Sequence, residues 1–132
     1  MKRFLLYVII FSFVLAGNAQ LNPVTWSFSA TKIADKTYEI HMKAIIQSGW
    51  HLYSQTQPED AIAIPTTFVI NNNPLFTKEG TIKEVGKIEK MKDATLGVSA
   101  NQYSGSVDFV QKIKLKSNAK TNFTGTVEFQ TC

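Results

Sequence analysis

From Val24 onward, apolar and polar residues alternate with a period of two, the pattern of strands that bury one face. Val24, Trp26, Phe28 and Ala30 alternate with Thr25, Ser27 and Ser29. After the turn Ala34-Asp35-Lys36, the residues Tyr38, Ile40, Met42, Ala44 and Ile46 alternate with Glu39, His41 and Lys43. Ser48-Gly49 breaks that run, and Trp50-His51-Leu52-Tyr53 opens a short one. Gln55 to Ile64, with Pro58 inside it, reads as an irregular connection ahead of a strand over Thr66 to Ile70. Asn71-Asn72-Asn73-Pro74 is a strong loop signal.

Two late strands carry the clearest pattern. Over Val107 to Leu115, the residues Val107, Phe109, Ile113 and Leu115 share a face with Gln111, while lysines take much of the other face. Over Phe123 to Cys132, the residues Phe123, Gly125, Val127, Phe129 and Thr131 face inward, and Thr124, Thr126, Glu128, Gln130 and Cys132 face outward. Between Ile82 and Met91 the apolar residues fall three apart, which fits a short helix as well as a bulged strand. Gly86 disfavours the helix by about 1 kcal/mol relative to alanine, so we read a strand. Many short strands with regular turn signals predict an all-β fold, an antiparallel β-sandwich.

The chain has 132 residues, 44% of them apolar and 18% charged, which suits one domain with a packed core. Its first residues have a different character. Lys2-Arg3 precedes an apolar run of 13 residues, Phe4 to Ala16, and Gly17-Asn18-Ala19 supplies small residues before Gln20. That order is the order of a secretory signal peptide. The run falls short of the roughly 20 residues that span a bilayer. We therefore expect 1–19 to be a signal peptide and 20–132 to be an exported sandwich domain. An uncleaved anchor is the other reading of the same segment. Taking Lys2 and Arg3 from 14 basic residues leaves 12 against 10 acidic ones. So small a surplus gives no electrostatic footprint for nucleic acid.

Cys132 is the only cysteine, and it is the last residue. An exported domain with one unpaired thiol is unusual, since that compartment favours disulfides. Either the thiol pairs with another molecule, or the chain continues. Val127 to Cys132 reads as a strand cut off before any turn, which favours continuation. Strict alternation puts Cys132 on the polar face, where it can be reached; thiolate chemistry needs access and a stabilised thiolate. The two histidines, His41 and His51, lack the closely spaced Cys or His partners of structural zinc. No metal and no cofactor are expected. No Gly-x-Ser-x-Gly elbow is present, and acids such as Glu79, Glu84 and Glu89 sit beside lysines in what reads as a solvated face.

One ordered set of segments carries more information. It comprises Trp50-His51-Leu52-Tyr53-Ser54, Ile64-Pro65-Thr66, Phe109-Val110-Gln111-Lys112, and Val127-Glu128-Phe129-Gln130-Thr131-Cys132. Together, over roughly Asn22 to Cys132, they resemble the N-terminal periplasmic domain of the thiol:disulfide interchange protein DsbD, in its Bacteroidetes-like form. The resemblance implies an immunoglobulin-like sandwich in the periplasm that is part of a protein-disulfide reductase. A thioredoxin-like domain would be the electron donor, disulfide-bearing periplasmic proteins the acceptors, and a downstream domain the link to the membrane. Cys132 matches the first cysteine of the family's redox pair, and the second is expected shortly beyond it.

The resemblance also implies a cap loop over the thiol, here Asp93-Ala94-Thr95-Leu96-Gly97. Asp93 and Gly97 fit the family pattern, and Leu96 stands where an aromatic is usual; an ordinary hairpin loop is the competing reading. His51 and Tyr53 become candidate neighbours of Cys132, Tyr53 ahead of His51, while Trp50 and Leu52 read as core. Residue patterning alone leaves another class open: a secreted, non-catalytic sandwich that binds a protein or glycan, with Cys132 incidental.

Overall fold

The structure, a computed structural model, describes residues 21–132. The expected signal peptide lies outside the described residues. Nine strands follow in order: β1 (Val24–Ala34), β2 (Thr37–Ile46), β3 (Leu52–Tyr53), β4 (Thr67–Ile70), β5 (Phe76–Val85), β6 (Glu89–Asp93), β7 (Val98–Tyr103), β8 (Ser106–Leu115) and β9 (Gly125–Glu128). Every pairing between them is antiparallel. The described residues include no helix, and so none long and apolar enough to cross a membrane.

One layer has the order β1-β2-β8-β5. The other is built from β3-β7-β6 and β4-β9, joined where Leu52 bridges Thr131. Although 13 residues separate them in sequence, β3 and β4 line up along β9. Tyr53 N–H donates to the Gln130 carbonyl, Asn71 N–H donates to the Thr124 carbonyl, and Thr66 Oγ1 donates to the Tyr53 carbonyl at 2.6 Å. The irregular 54–66 connection is thus an excursion from one interrupted strand.

The alternation of β2 and β8 builds the core. Ile40, Met42, Ala44 and Ile46 are buried, as are Val107, Phe109 and Ile113, with Leu52 and Tyr103 meeting them from the second layer. Gln111 is 2% exposed among them. Its Nε2 donates to the Lys112 carbonyl at 2.8 Å and the Gly80 carbonyl at 3.2 Å, beside the register shift of β5 between Glu79 and Lys83. A buried amide needs such partners to repay its desolvation.

Two expectations change here. Phe28 lies on the face of β1 read as core, yet it is 63% exposed because the layers gape at that end. Glu84, expected in a solvated charge run, sits opposite the fully buried Phe109 and turns its carboxylate toward the second layer. The Ile82–Met91 stretch is extended, as read, but it breaks at Gly86 into β5 and β6.

At Gly125 the two strands β4 and β9 approach so closely that an added Cβ would strike the Val69 carbonyl oxygen and lie 3.1 Å from the Ile70 Cα. Both obstacles are backbone, so only strand separation could relieve them. Gly125→Ala is expected to cost about 1–3 kcal/mol, the usual range for overpacking, measured by urea unfolding. Unchanged stability would mean that β4 and β9 part freely.

Candidate functional site around Cys132

Cys132 is exposed and its backbone is pinned. His51 N–H donates to the Cys132 carbonyl at 2.8 Å, and Cys132 N–H returns a bond to the His51 carbonyl at 3.1 Å. Two residues exchanging both bonds are directly opposed in an antiparallel ladder, so their side chains share a face with Cα atoms about 5.5 Å apart. Tyr53, two residues along, is on that face too. The ladder therefore puts the Tyr53 phenol on the same side as the Cys132 thiol.

The consequence for the phenol is large. Its pKa is pushed up from the ordinary 10 to about 12, first by hydrogen bonding toward Cys132, then by burial, then by the charge that a Cys132 thiolate would place beside it. A phenol held protonated in this way keeps its hydrogen available for the sulfur on the same face. His51 reaches the other way, with Nε2 3.6 Å from a carboxylate oxygen of Glu89, which also accepts from Ser104 Oγ at 2.6 Å. Thiol, phenol, imidazole and carboxylate thus occupy one side of the β3–β7–β6 sheet and the adjoining end of β9.

The Asp93–Gly97 loop is the tip of the β6–β7 hairpin. Asp93 closes it: Oδ1 accepts from Thr95 N–H at 2.9 Å and Leu96 N–H at 3.0 Å, and its carbonyl accepts from Gly97 N–H. The hairpin base, Asp93 paired with Val98, is five residues along β7 from the Leu52–Tyr103 pair, or ~17 Å of strand. Leu96 is 68% exposed. The structure therefore brings Tyr53 and His51 to Cys132 and does not bring Asp93, Thr95, Leu96 or Gly97 there.

Glu84 is the residue that sequence reasoning missed. Its carboxylate accepts from Ser54 Oγ at 2.8 Å, Gln55 N–H at 2.7 Å and the Tyr103 hydroxyl at 2.5 Å. It latches β5 of one layer to β7 and the end of β3 in the other, immediately after Tyr53. The Tyr103 phenol is raised well above its ordinary value, by burial first and then by the Glu84 hydrogen bond and charge.

Both shifts make a prediction about alkaline stability. A phenol whose folded pKa lies above its unfolded one stabilises the fold fully below pH 10, and that contribution is lost as pH rises toward the folded value. For Tyr53 the window is about pH 10 to 12. The thermal midpoint is expected to show no loss from these phenols up to pH 10 and to fall steadily beyond it. In Tyr53→Phe and Tyr103→Phe the fall should be shallower. An identical alkaline profile in both variants would remove the assignment.

His41, expected on a solvated face, is half-buried, with Nδ1 2.8 Å from Asp108 Oδ2 and Nε2 3.5 Å from Glu39. Among the described residues no group of three or more His, Cys, Asp or Glu side chains is placed to hold a metal ion. In comparisons with known proteins, no protein-family model, curated protein or solved structure matches this chain.

Proposed function

We propose that the chain is a thiol–disulfide exchange module that works in the periplasm after export. The observation that carries this reading is the exposed Cys132 thiol on a strand end fixed by two main-chain bonds to His51, with the Tyr53 phenol on the same face of the ladder. The ordered segments resembling the DsbD N-terminal domain support the same reading. Cys132, as thiolate, attacks one sulfur of an acceptor disulfide. A new S–S bond joins the two proteins, the acceptor's own S–S bond breaks, and its other sulfur leaves as a thiolate that takes a proton from water. A second thiol then attacks the Cys132 sulfur and releases the reduced acceptor. That thiol is a second cysteine beyond Cys132 or an outside molecule. Two electrons from a thioredoxin-like donor reset the pair.

The test is incubation of the protein with a thioredoxin-like domain oxidised at its disulfide. A reducible one-to-one adduct through Cys132 is expected. If Cys132 reacts with iodoacetamide yet never joins the disulfide, the exchange reading is wrong.

A second reading, a secreted non-catalytic sandwich that binds a protein or glycan, is favoured by a separate feature, the apolar cleft where Phe28 is exposed.

A further inference from the structure

Among the described residues the two layers do not close on each other along one side. β1 is an outer strand of the first layer and β9 an outer strand of the second. Between them runs a cleft of about 460 Å³ floored by Ile40 and Met42 and walled by Phe28, Phe68 and Val127. Phe28 is 63% exposed there, which is a large apolar ring left to water.

The backbone of β9 adds a second, independent observation. Thr124, Gln130 and Cys132 spend their main-chain groups on the β3/β4 side, through the bonds with Asn71, Tyr53 and His51. Backbone groups alternate sides along a strand. Those of Gly125, Val127, Phe129 and Thr131 therefore point away from β4, toward the cleft side. Among the described residues no strand takes them. An open row of donors and acceptors beside an apolar trough is the arrangement that accepts an added strand.

Charge selects the kind of strand. Through Ala30, Ile40 and Phe123 the cleft continues into a second one edged by Lys32, Lys36 and Lys120. Among the described residues no carboxylate lines either. A strand antiparallel to β9, like every other pairing in the fold, would bring its C-terminal end to those lysines. A second copy of this chain is a poor fit: β1 carries no acidic residue and β9 only Glu128.

We infer that the β1–β9 cleft is a docking site for the acidic C-terminal tail of another protein, bound as an antiparallel strand with alternate apolar residues turned into the trough. The site does not depend on the thiol chemistry, so Cys132→Ser leaves it intact even if the exchange reading fails.

The probe is a synthetic peptide alternating valine and threonine and ending in two glutamates with a free carboxylate. Trp26, whose ring lies 5.5 Å from Phe129 and 6.3 Å from Phe28, reports binding by fluorescence. Saturable binding is expected, with hydrogen-exchange protection of the Val127, Phe129 and Thr131 amides. Val127→Pro deletes a donor that the β4 ladder does not use and should weaken binding at least tenfold. Phe28→Ser, at an exposed position, should weaken it without loss of folding. A peptide amidated at its end, with glutamines for the glutamates, should bind several-fold less tightly. Absent protection of those amides, equal binding of the neutral peptide, protection of the same amides by a second copy or by residues of this chain that follow Cys132, or displacement of the peptide by oleate alone would each overturn the proposal.

Discussion

Cys132→Ser is expected to abolish every covalent adduct with disulfide-bearing partners, while leaving the unfolding midpoint close to that of the parent. The serine keeps the shape of the side chain and the main-chain bonds with His51. What it removes is the only sulfur in the chain able to attack a disulfide. The more discriminating variant is Tyr53→Phe. A hydrogen bond to a charged acceptor contributes about 1.5–3 kcal/mol, less where water competes, and Cys132 is exposed. We therefore expect alkylation of Cys132 by iodoacetamide at neutral pH, and formation of the mixed disulfide, to slow together by roughly three- to tenfold. Adduct formation surviving in Cys132→Ser would end the exchange reading outright. Unchanged alkylation in Tyr53→Phe would leave the thiol reactive without help from the phenol.

His51 separates positioning from chemistry. Its main chain holds Cys132 whatever the side chain is, so His51→Ala should keep the strand end in place. If the imidazole serves the thiol, the pH profile of alkylation changes shape in that variant. If it serves only Glu89, the profile is preserved and only stability shifts.

The strands legible in the sequence are those with one face fully buried. β2 and β8 are central in their sheet and paired to each other over nine residues, so each inward position is apolar or, at Gln111, satisfied by backbone. β7 and the first half of β5 did not register. β7 reads Val-Ser-Ala-Asn-Gln-Tyr and buries Gln102 at 7% exposure, so polarity does not mark its outer face. β5 begins Phe-Thr-Lys-Glu-Gly, and after Phe76 the next five residues are exposed on both faces. The alignment of β3 with β4 was invisible because it rests on Thr66 reaching back to Tyr53 across an excursion with no periodicity. Alternation did place Cys132 outward, since the strand keeps its parity to the last residue. The role of Glu84 could not be read, because an inward carboxylate in a Lys-Glu run has the same sequence signature as a solvated one.

That carboxylate carries the second large effect. Glu84→Ala would strand Ser54 Oγ, Gln55 N–H and the Tyr103 hydroxyl together. Ser54 is 1% exposed and Tyr103 3%, so water cannot readily replace the lost acceptor at either. Leaving a buried donor unpaired costs about 1–3 kcal/mol. With partial relaxation, we expect a total loss of about 3 kcal/mol in urea unfolding, a large share of the 5–15 kcal/mol typical of a domain. Tyr103→Phe removes one donor and leaves the carboxylate those of Ser54 and Gln55, so it should cost only about 1 kcal/mol. In the double variant the two losses should fall short of adding, because the phenol has no acceptor once Glu84 is gone. The effect should also reach the thiol. Ser54 follows Tyr53 directly, and freeing it loosens the segment that aims the phenol at Cys132, so alkylation should change in Glu84→Ala as it does in Tyr53→Phe. A Glu84→Ala protein within 0.5 kcal/mol of the parent would return Glu84 to the solvated face and remove it as a latch between the two layers.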